Sequence, residues 1–205
     1  MSDLQTGMNG EKNMRNRKNN KLKIGVSACL IGLKFRYNGT SKFSQTLVDK
    51  LNGKADLIPV CPEVECGLAI PREPMHLEVS AKGTRLKGNE SGTDETERFL
   101  RWADNKLEQL ESMDLSAFIF QARSPSCGLA DTKIFSPGGK REITDAGTGL
   151  FAQLLQRRFP KMLIGEEKDL DEILCALGLD CDCGEEHHHD HCCDCGHDCD
   201  CGKKE

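Results

Sequence analysis

The stretch Ile58-Pro-Val-Cys-Pro-Glu-Val-Glu-Cys-Gly67 decides the fold that we predict for this chain. The apolar run Leu57–Val60 predicts a short buried strand, and a cysteine, a proline and two carboxylates follow this strand at once. The β-rich runs Lys23–Ser27 and Ala117–Phe120 also lead into a cysteine shortly after they end. Because open α/β sheets place their ligand sites beyond the carboxyl ends of the strands, this repeated arrangement is the central functional feature of the sequence.

Strands and helices alternate along the middle of the chain, which is the pattern of an α/β fold. Amphipathic helices are predicted after a cap at Thr40 or Ser41, over residues 93–113, over residues 149–159 and over residues 169–177. A β-hairpin is predicted within residues 76–87, and the proline-rich residues 62–75 are expected to form an irregular loop. We therefore predict an open, mostly parallel, doubly wound (Rossmann-like) sheet with flanking helices and a small β-hairpin over residues 21–178.

Charge and hydropathy narrow the class of protein. The 205 residues include 30% charged side chains and carry a formal net charge of −5 at pH 7, which gives no electrostatic basis for binding nucleic acid or a membrane surface. The N-terminal segment lacks the apolar stretch of a signal peptide, and no apolar run approaches the ~20 residues of a transmembrane helix. We expect a cytoplasmic protein, in which twelve cysteines serve metal binding or catalysis rather than disulfides.

The two ends of the chain differ in composition from the middle. Residues 1–20 are polar and are predicted to be a disordered lead-in. Residues 179–205 form a tail with seven cysteines and five histidines, a composition that cannot bury a core. This tail is predicted to bind zinc, nickel or copper and to be disordered without metal. Its candidate ligands are Cys181, Cys183, His187, His188, His189, His191, Cys192, Cys193, Cys195, His197, Cys199 and Cys201.

Three cysteines are predicted to meet at the carboxyl edge of the sheet, namely Cys29, Cys61 and Cys127. Three thiolates suit a zinc ion with one open coordination position, or a [4Fe–4S] cluster in which one iron has no protein ligand. Cys66 is a candidate fourth thiolate. The alternative interpretation treats these cysteines as small, partly buried apolar residues.

Polar side chains near these cysteines suit catalysis. Glu63 lies two residues after Cys61 and could transfer protons, although a solvated loop carboxylate is the alternative. Ser124 and Ser126 precede Cys127 and could donate a hydrogen bond to a bound oxygen or sulfur, although serine also forms turns. Three arginines could hold an anionic or carbonyl-rich ligand: Arg36, Arg72 and Arg123.

Several short motifs occur in the order in which one protein family has them. They are Lys23-Ile-Gly-Val-Ser-Ala-Cys-Leu30, Arg36-Tyr-Asn-Gly39, Val60-Cys-Pro-Glu-Val64, Gly67 through Arg72, Gly92-Thr-Asp94 with Phe99, and Arg123-Ser-Pro-Ser-Cys-Gly128. Over residues 22–165 the chain therefore resembles the TudS family, which includes the thiouracil desulfidases. It departs from the family pattern at Gln121-Ala122, where lysine and serine are usual, at Asn38, where aspartate is usual, and in the loop Val64–Gly67.

The resemblance implies an enzyme with a [4Fe–4S] cluster held by Cys29, Cys61 and Cys127. It also implies that the free iron takes the sulfur of a thiocarbonyl such as that of 2-thiouracil, with Glu63 as the catalytic acid/base and Ser124 as the assisting group. Water would replace sulfur at the carbon, a non-redox hydrolysis that gives uracil and hydrogen sulfide. The departures leave these positions unchanged and concern the substrate more than the cluster.

Two functions of different classes follow. The first is an iron–sulfur enzyme that removes sulfur from a small-molecule thio-compound, in particular a thiolated pyrimidine. The second is a non-catalytic metal-handling or metal-storage protein that acts through its Cys/His-rich tail. Action on thiolated RNA finds little support in the acidic charge balance.

Overall fold

The computed structural model of this chain describes residues 21–179. The predictions made for residues 1–20, and for the tail from residue 180 onward, lie outside the described residues. Within residues 21–179, no helix combines the length and the apolar character that crossing a bilayer requires.

Eight strands and five α-helices make up the described part of the chain. The strands are β1 (Leu22–Ser27), β2 (Ala55–Val60), β3 (Met75–Ser80), β4 (Gly83–Gly88), β5 (Ala117–Phe120), β6 (Thr132–Phe135), β7 (Glu142–Gly147) and β8 (Leu163–Glu166). The α-helices are α1 (Gln45–Leu51), α2 (Pro62–Glu65), α3 (Thr96–Met113), α4 (Leu150–Arg158) and α5 (Leu170–Ala176). Short 3-10 turns follow β1 at Ala28–Ile31 and β8 at Glu167–Asp169.

The first sheet has the strand order β2-β1-β5-β8, and all of its strands run parallel. Pro59 fits within β2 because this strand lies at an edge of the sheet. The chain builds outward from β1 in both directions, so the switch point, where ligand crevices form in such sheets, lies between β1 and β5. This sheet and its flanking helices confirm the predicted α/β fold.

The predicted hairpin belongs to a second sheet with the order β4-β3-β6-β7. Strands β3 and β4 pair antiparallel from Met75↔Gly88 to Ser80↔Gly83, as the hairpin prediction requires. Strand β6 then pairs parallel to β3, and β7 pairs antiparallel to β6. This sheet was not predicted as a unit because β6 and β7 carry little apolar patterning of their own.

Alternate side chains of β5 face opposite sides of the first sheet, as strand geometry dictates. Ala117 and Ile119 pack with residues of α1 and α5, whereas Phe118 and Phe120 pack with residues of α3 and α4. The sheet is therefore covered by helices on both faces, which is why β5 is apolar throughout and fully buried.

Two local predictions need correction. Helix α1 begins later than expected, because the Ser44 hydroxyl rather than Thr40 or Ser41 accepts the backbone N–H of Leu47. Phe43 precedes this helix and is half-exposed. The loop over residues 62–75 is not irregular throughout, since proline in the first turn and carboxylates at the N-terminus favour the short helix α2.

Candidate active site

A cavity of about 450 Å³ opens beyond the carboxyl ends of β1, β2 and β5, at the switch point of the first sheet. Cys29 reaches it from the 3-10 turn after β1, Cys61 from the N-cap of α2, and Cys127 from the loop after β5. The structure therefore brings together the three cysteines that the sequence placed at separate strand ends.

Cys127 is buried, Cys29 and Cys61 are half-buried, and the three thiols lie close enough to influence one another. Burial raises the pKa of the Cys29 thiol to about 11, and the neighbouring Cys61 contributes to the rise. Burial also raises the pKa of Cys61, and it raises that of Cys127 well above its ordinary value, again with a contribution from Cys61. Thiols in such a setting ionise when a bound metal supplies the positive charge that stabilises the thiolates.

The three thiols are a donor set that a [4Fe–4S] cluster with one iron free of protein ligands could use. Among residues 21–179, no three His, Cys, Asp or Glu side chains are arranged so that they could hold one metal ion. A [4Fe–4S] cluster makes a different demand, because each cysteine binds a different iron and the sulfur atoms need not converge on one point.

Cys66 does not join the other thiols. It does not line the cavity, and its Sγ donates to the backbone carbonyl of Glu63 at 3.2 Å while its side chain packs against the core. Burial raises the pKa of this thiol to about 11. We therefore do not place Cys66 among the ligands of the cavity.

The carboxylate of Glu63 lines the cavity and is held at both of its oxygens. Arg72 donates to Oε2 from Nε at 2.8 Å and from Nη2 at 2.6 Å, while the Ser126 hydroxyl donates to Oε1 at 2.8 Å. Cys61 begins the same short helix, and its backbone N–H is fixed by Glu65 at 2.8 Å. Helix α2 thus places a thiol and a carboxylate on the same cavity wall.

Ser124 lines the cavity, whereas Ser126 lies beneath the surface. The Ser124 hydroxyl oxygen accepts the backbone N–H groups of Ser126 at 3.2 Å and of Cys127 at 3.1 Å. Because the oxygen accepts both bonds, its own O–H remains available to donate to a ligand. The loop that presents Cys127 is therefore shaped by a serine that also lines the cavity.

The three arginines near the cavity have different hydrogen-bond partners. Arg72 is bound to Glu63 and is not available to a ligand in the way that the sequence suggested. Arg36 bonds Thr40 through Nη1 at 3.1 Å and lies near the Tyr37 ring. Arg123 is exposed at the cavity rim, and its backbone N–H donates to an acidic side chain at 2.7 Å. The lining therefore keeps basic groups beside the thiols.

Two residues of the site were not identified from the sequence. Ser27 ends β1, is buried, accepts the backbone N–H of Gln121 at 3.0 Å and bonds the Cys127 thiol. Gly149 is the N-cap of α4, and its N–H donates to the carbonyl of Gly128 at 2.7 Å. The position of Ser27, two residues before Cys29, was a signal available in the sequence. No local pattern indicated that Gly149 shapes the site.

Comparisons with known proteins identify the family of this chain. The 2-thiouracil desulfurase family model matches residues 24–167. The Bacillus subtilis (strain 168) protein described as "Uncharacterized protein YbbK" is 33% identical over 156 residues, which cover 74% of this chain and 99% of that protein. The solved structure of the [4Fe-4S]-dependent thiouracil desulfidase TudS is 33% identical, with a TM-score of 0.63 over 78% of this chain and 100% of that one. This chain belongs to the 2-thiouracil desulfurase family.

Proposed function

We propose that this protein is a [4Fe–4S]-dependent desulfidase that hydrolyses the carbon–sulfur bond of a thiolated pyrimidine such as 2-thiouracil. The observation that carries the proposal is that Cys29, Cys61 and Cys127 line one cavity together with Glu63 and Ser124. Membership of the 2-thiouracil desulfurase family supports an enzyme of this class. The [4Fe-4S] dependence of the similar desulfidase supports the cofactor.

Cys29, Cys61 and Cys127 would hold the cluster. When bound, it supplies an iron that no protein group ligates, a Lewis acid suited to the soft sulfur of a thiocarbonyl. The protein binds the small substrate in the cavity and restricts the water around it. The thiols reach the cavity from three different strands, so one rigid sheet sets their relative positions.

Glu63 would transfer the protons, and Ser124 would assist by hydrogen bonding. Glu63 accepts a proton from the water that attacks the ring carbon and returns it to the departing sulfur. The Ser124 hydroxyl donates a hydrogen bond to the substrate. A carbon–oxygen bond forms, the carbon–sulfur bond breaks, and both protons of the water leave as hydrogen sulfide. The reaction therefore consumes no oxidant or reductant.

Replacing each cavity cysteine tests the proposal. The full-length protein and its Cys29→Ser, Cys61→Ser and Cys127→Ser variants would be purified without oxygen and assayed for iron, acid-labile sulfide and sulfide release from 2-thiouracil. We expect about four irons per chain in the unsubstituted protein and loss of the cluster in each variant. Cys66→Ser is the matched control and should retain both iron and turnover, because its thiol does not line the cavity.

The opposite result would favour a different class of protein. A colourless protein that binds only zinc and leaves 2-thiouracil unchanged would contradict the proposed enzyme and favour a metal-handling protein.

The Glu63→Gln variant separates cluster binding from catalysis. It should keep the iron and lose turnover by a factor of about 100 or more. Turnover at the unsubstituted rate would remove Glu63 from the mechanism.

We also propose that the Cys/His-rich tail binds a soft or borderline metal independently of the cavity. The support is its sequence, which holds seven cysteines and five histidines from Cys181 to Cys201. Zinc titration of the full chain, followed with a competing chelator, should show sites that a chain ending at residue 179 lacks. Equal zinc binding by the two chains would refute this proposal.

A further inference from the structure

The carboxylate of Glu63 is held asymmetrically, and the asymmetry distinguishes its two oxygens. Oε2 accepts two N–H groups of Arg72, at 2.8 Å from Nε and at 2.6 Å from Nη2. Oε1 accepts one O–H, that of Ser126, at 2.8 Å. Each carboxylate oxygen has two lone pairs, so the first oxygen is fully used and the second keeps one lone pair.

Arg72 is itself anchored on more than one side. Its Nη2 also donates to the carbonyl of Phe35 at 2.9 Å, its Nη1 to the carbonyl of Ala69 at 3.2 Å, and its backbone N–H to Tyr37 at 2.8 Å. Its side chain is 8% exposed and that of Glu63 is 14% exposed. The arginine therefore ties the loop after β1 to helix α2 across the cavity wall, with little freedom for either side chain.

Ser126 is anchored from the opposite side. It is 1% exposed, and its carbonyl accepts the backbone N–H groups of Phe151 at 2.9 Å and Ala152 at 3.3 Å, in the first turn of α4. Its own N–H donates to the Ser124 hydroxyl at 3.2 Å. The first turn of α4 therefore fixes the position of the Ser126 backbone.

We propose that Arg72 and Ser126 are positioning residues that aim Glu63, so that Oε1 is the atom that exchanges protons with water and sulfur. This inference rests on the proposed desulfidase function. The rigid guanidinium holds Oε2 with two N–H groups while the Ser126 hydroxyl holds Oε1, whereas an ammonium group acts as a point charge without that fixed geometry. Arg72→Lys should therefore keep the charge and lose the orientation.

The test measures kcat, KM and iron content of the holoenzyme without oxygen. For Arg72→Lys and Ser126→Ala we expect kcat to fall about tenfold to a hundredfold, since misplacing a catalytic group by about 1 Å has effects of that size. KM should change far less, because neither residue is assigned to the substrate. Arg85→Lys is the matched control: Arg85 also pairs with carboxylates, at Asp94 and Glu97, but does not line the cavity.

A double-mutant cycle distinguishes positioning from an independent role. If Arg72 acts only through Glu63, Arg72→Lys should cost nothing further when Glu63 is already Gln, measured as residual sulfide release under single-turnover conditions. Additive losses would overturn the inference. So would unchanged kcat in both single variants while the unsubstituted enzyme is active. If the unsubstituted enzyme loaded with cluster releases no sulfide, the proposed function fails, and the inference fails with it.

Discussion

At the scale of single residues, Gly149 sets how closely a helix can approach the cysteine loop. Its φ of −61° is ordinary for any residue, so space rather than backbone conformation requires glycine here. A Cβ at this position would lie 2.6 Å from the backbone nitrogen of Cys127. Only without that atom can the first N–H groups of α4 bond the carbonyls of Pro125 and Ser126.

Gly149→Ala should therefore displace the loop that presents Cys127. We expect the free energy of unfolding to fall by about 1–3 kcal/mol, as for other overpacked sites, and the iron content to fall with it. Gly53→Ala is the control, since its Cβ meets no atom within 4 Å and its φ of +74° makes strain the only cost. The control should unfold more easily yet keep its iron. Equal iron in both variants would show that Gly149 does not shape the site.

At the scale of elements, the pairing of β1 with β5 places the switch point where the cavity forms. Gly25 of β1 lies opposite Phe118 of β5, and the Phe118 ring occupies the space that a side chain at Gly25 would take. The ring also packs against Phe120, at 4.3 Å between centroids, and against Phe151, at 6.1 Å. One small residue in β1 thus allows an aromatic cluster to cover the sheet.

Gly25→Ala should cost about 1–3 kcal/mol of unfolding free energy, because a buried ring must move. Phe118→Leu should also destabilise the fold on its own, through lost packing. Combined, the two changes should cost less than the sum of their separate costs, since leucine leaves room for the added methyl group. Urea denaturation of the three variants gives the comparison, and strict additivity would contradict the close contact.

At the scale of the whole molecule, the functional site lies within the part of the chain that the family match covers. The match ends at residue 167, and the last helix of the described residues 21–179 ends at Ala176. All residues that line the cavity lie between Ser27 and Cys127. The Cys/His-rich tail begins after this region and has no catalytic assignment.

A chain of residues 21–179 should therefore keep its melting temperature, its iron content and its sulfide release from 2-thiouracil. The expectation follows because this shorter chain retains every core residue and cavity residue that the structure describes. Iron analysis and thermal denaturation, both without oxygen, provide the measurement. A truncated chain that folds with an unchanged melting temperature but fails to acquire iron would assign the tail a role in delivering the metal.

Much of the fold could be predicted from the sequence because many of its strands and helices are marked by patterns within short segments. Strand β5 is an apolar run, the hairpin β3–β4 has alternating residues around Lys82-Gly83, and α3 repeats its apolar positions every three to four residues. The second sheet was not predicted, since the pairing of β3 with β6 joins residues such as Leu77 and Ile134 that are far apart in the chain. The start of α1 was misplaced because three neighbouring residues, Thr40, Ser41 and Ser44, are all suitable caps.

The sequence by itself determined the α/β class, the family resemblance and the three cysteines, because periodicity, strand-end motifs and residue chemistry are properties of short segments. Only the tertiary structure decided that Cys66 lies outside the cavity, that Arg72 binds Glu63, and that Ser126 supplies the second contact to that carboxylate. These are relations between side chains on different elements. Their distances depend on how the sheet and helices pack together, which no local pattern specifies.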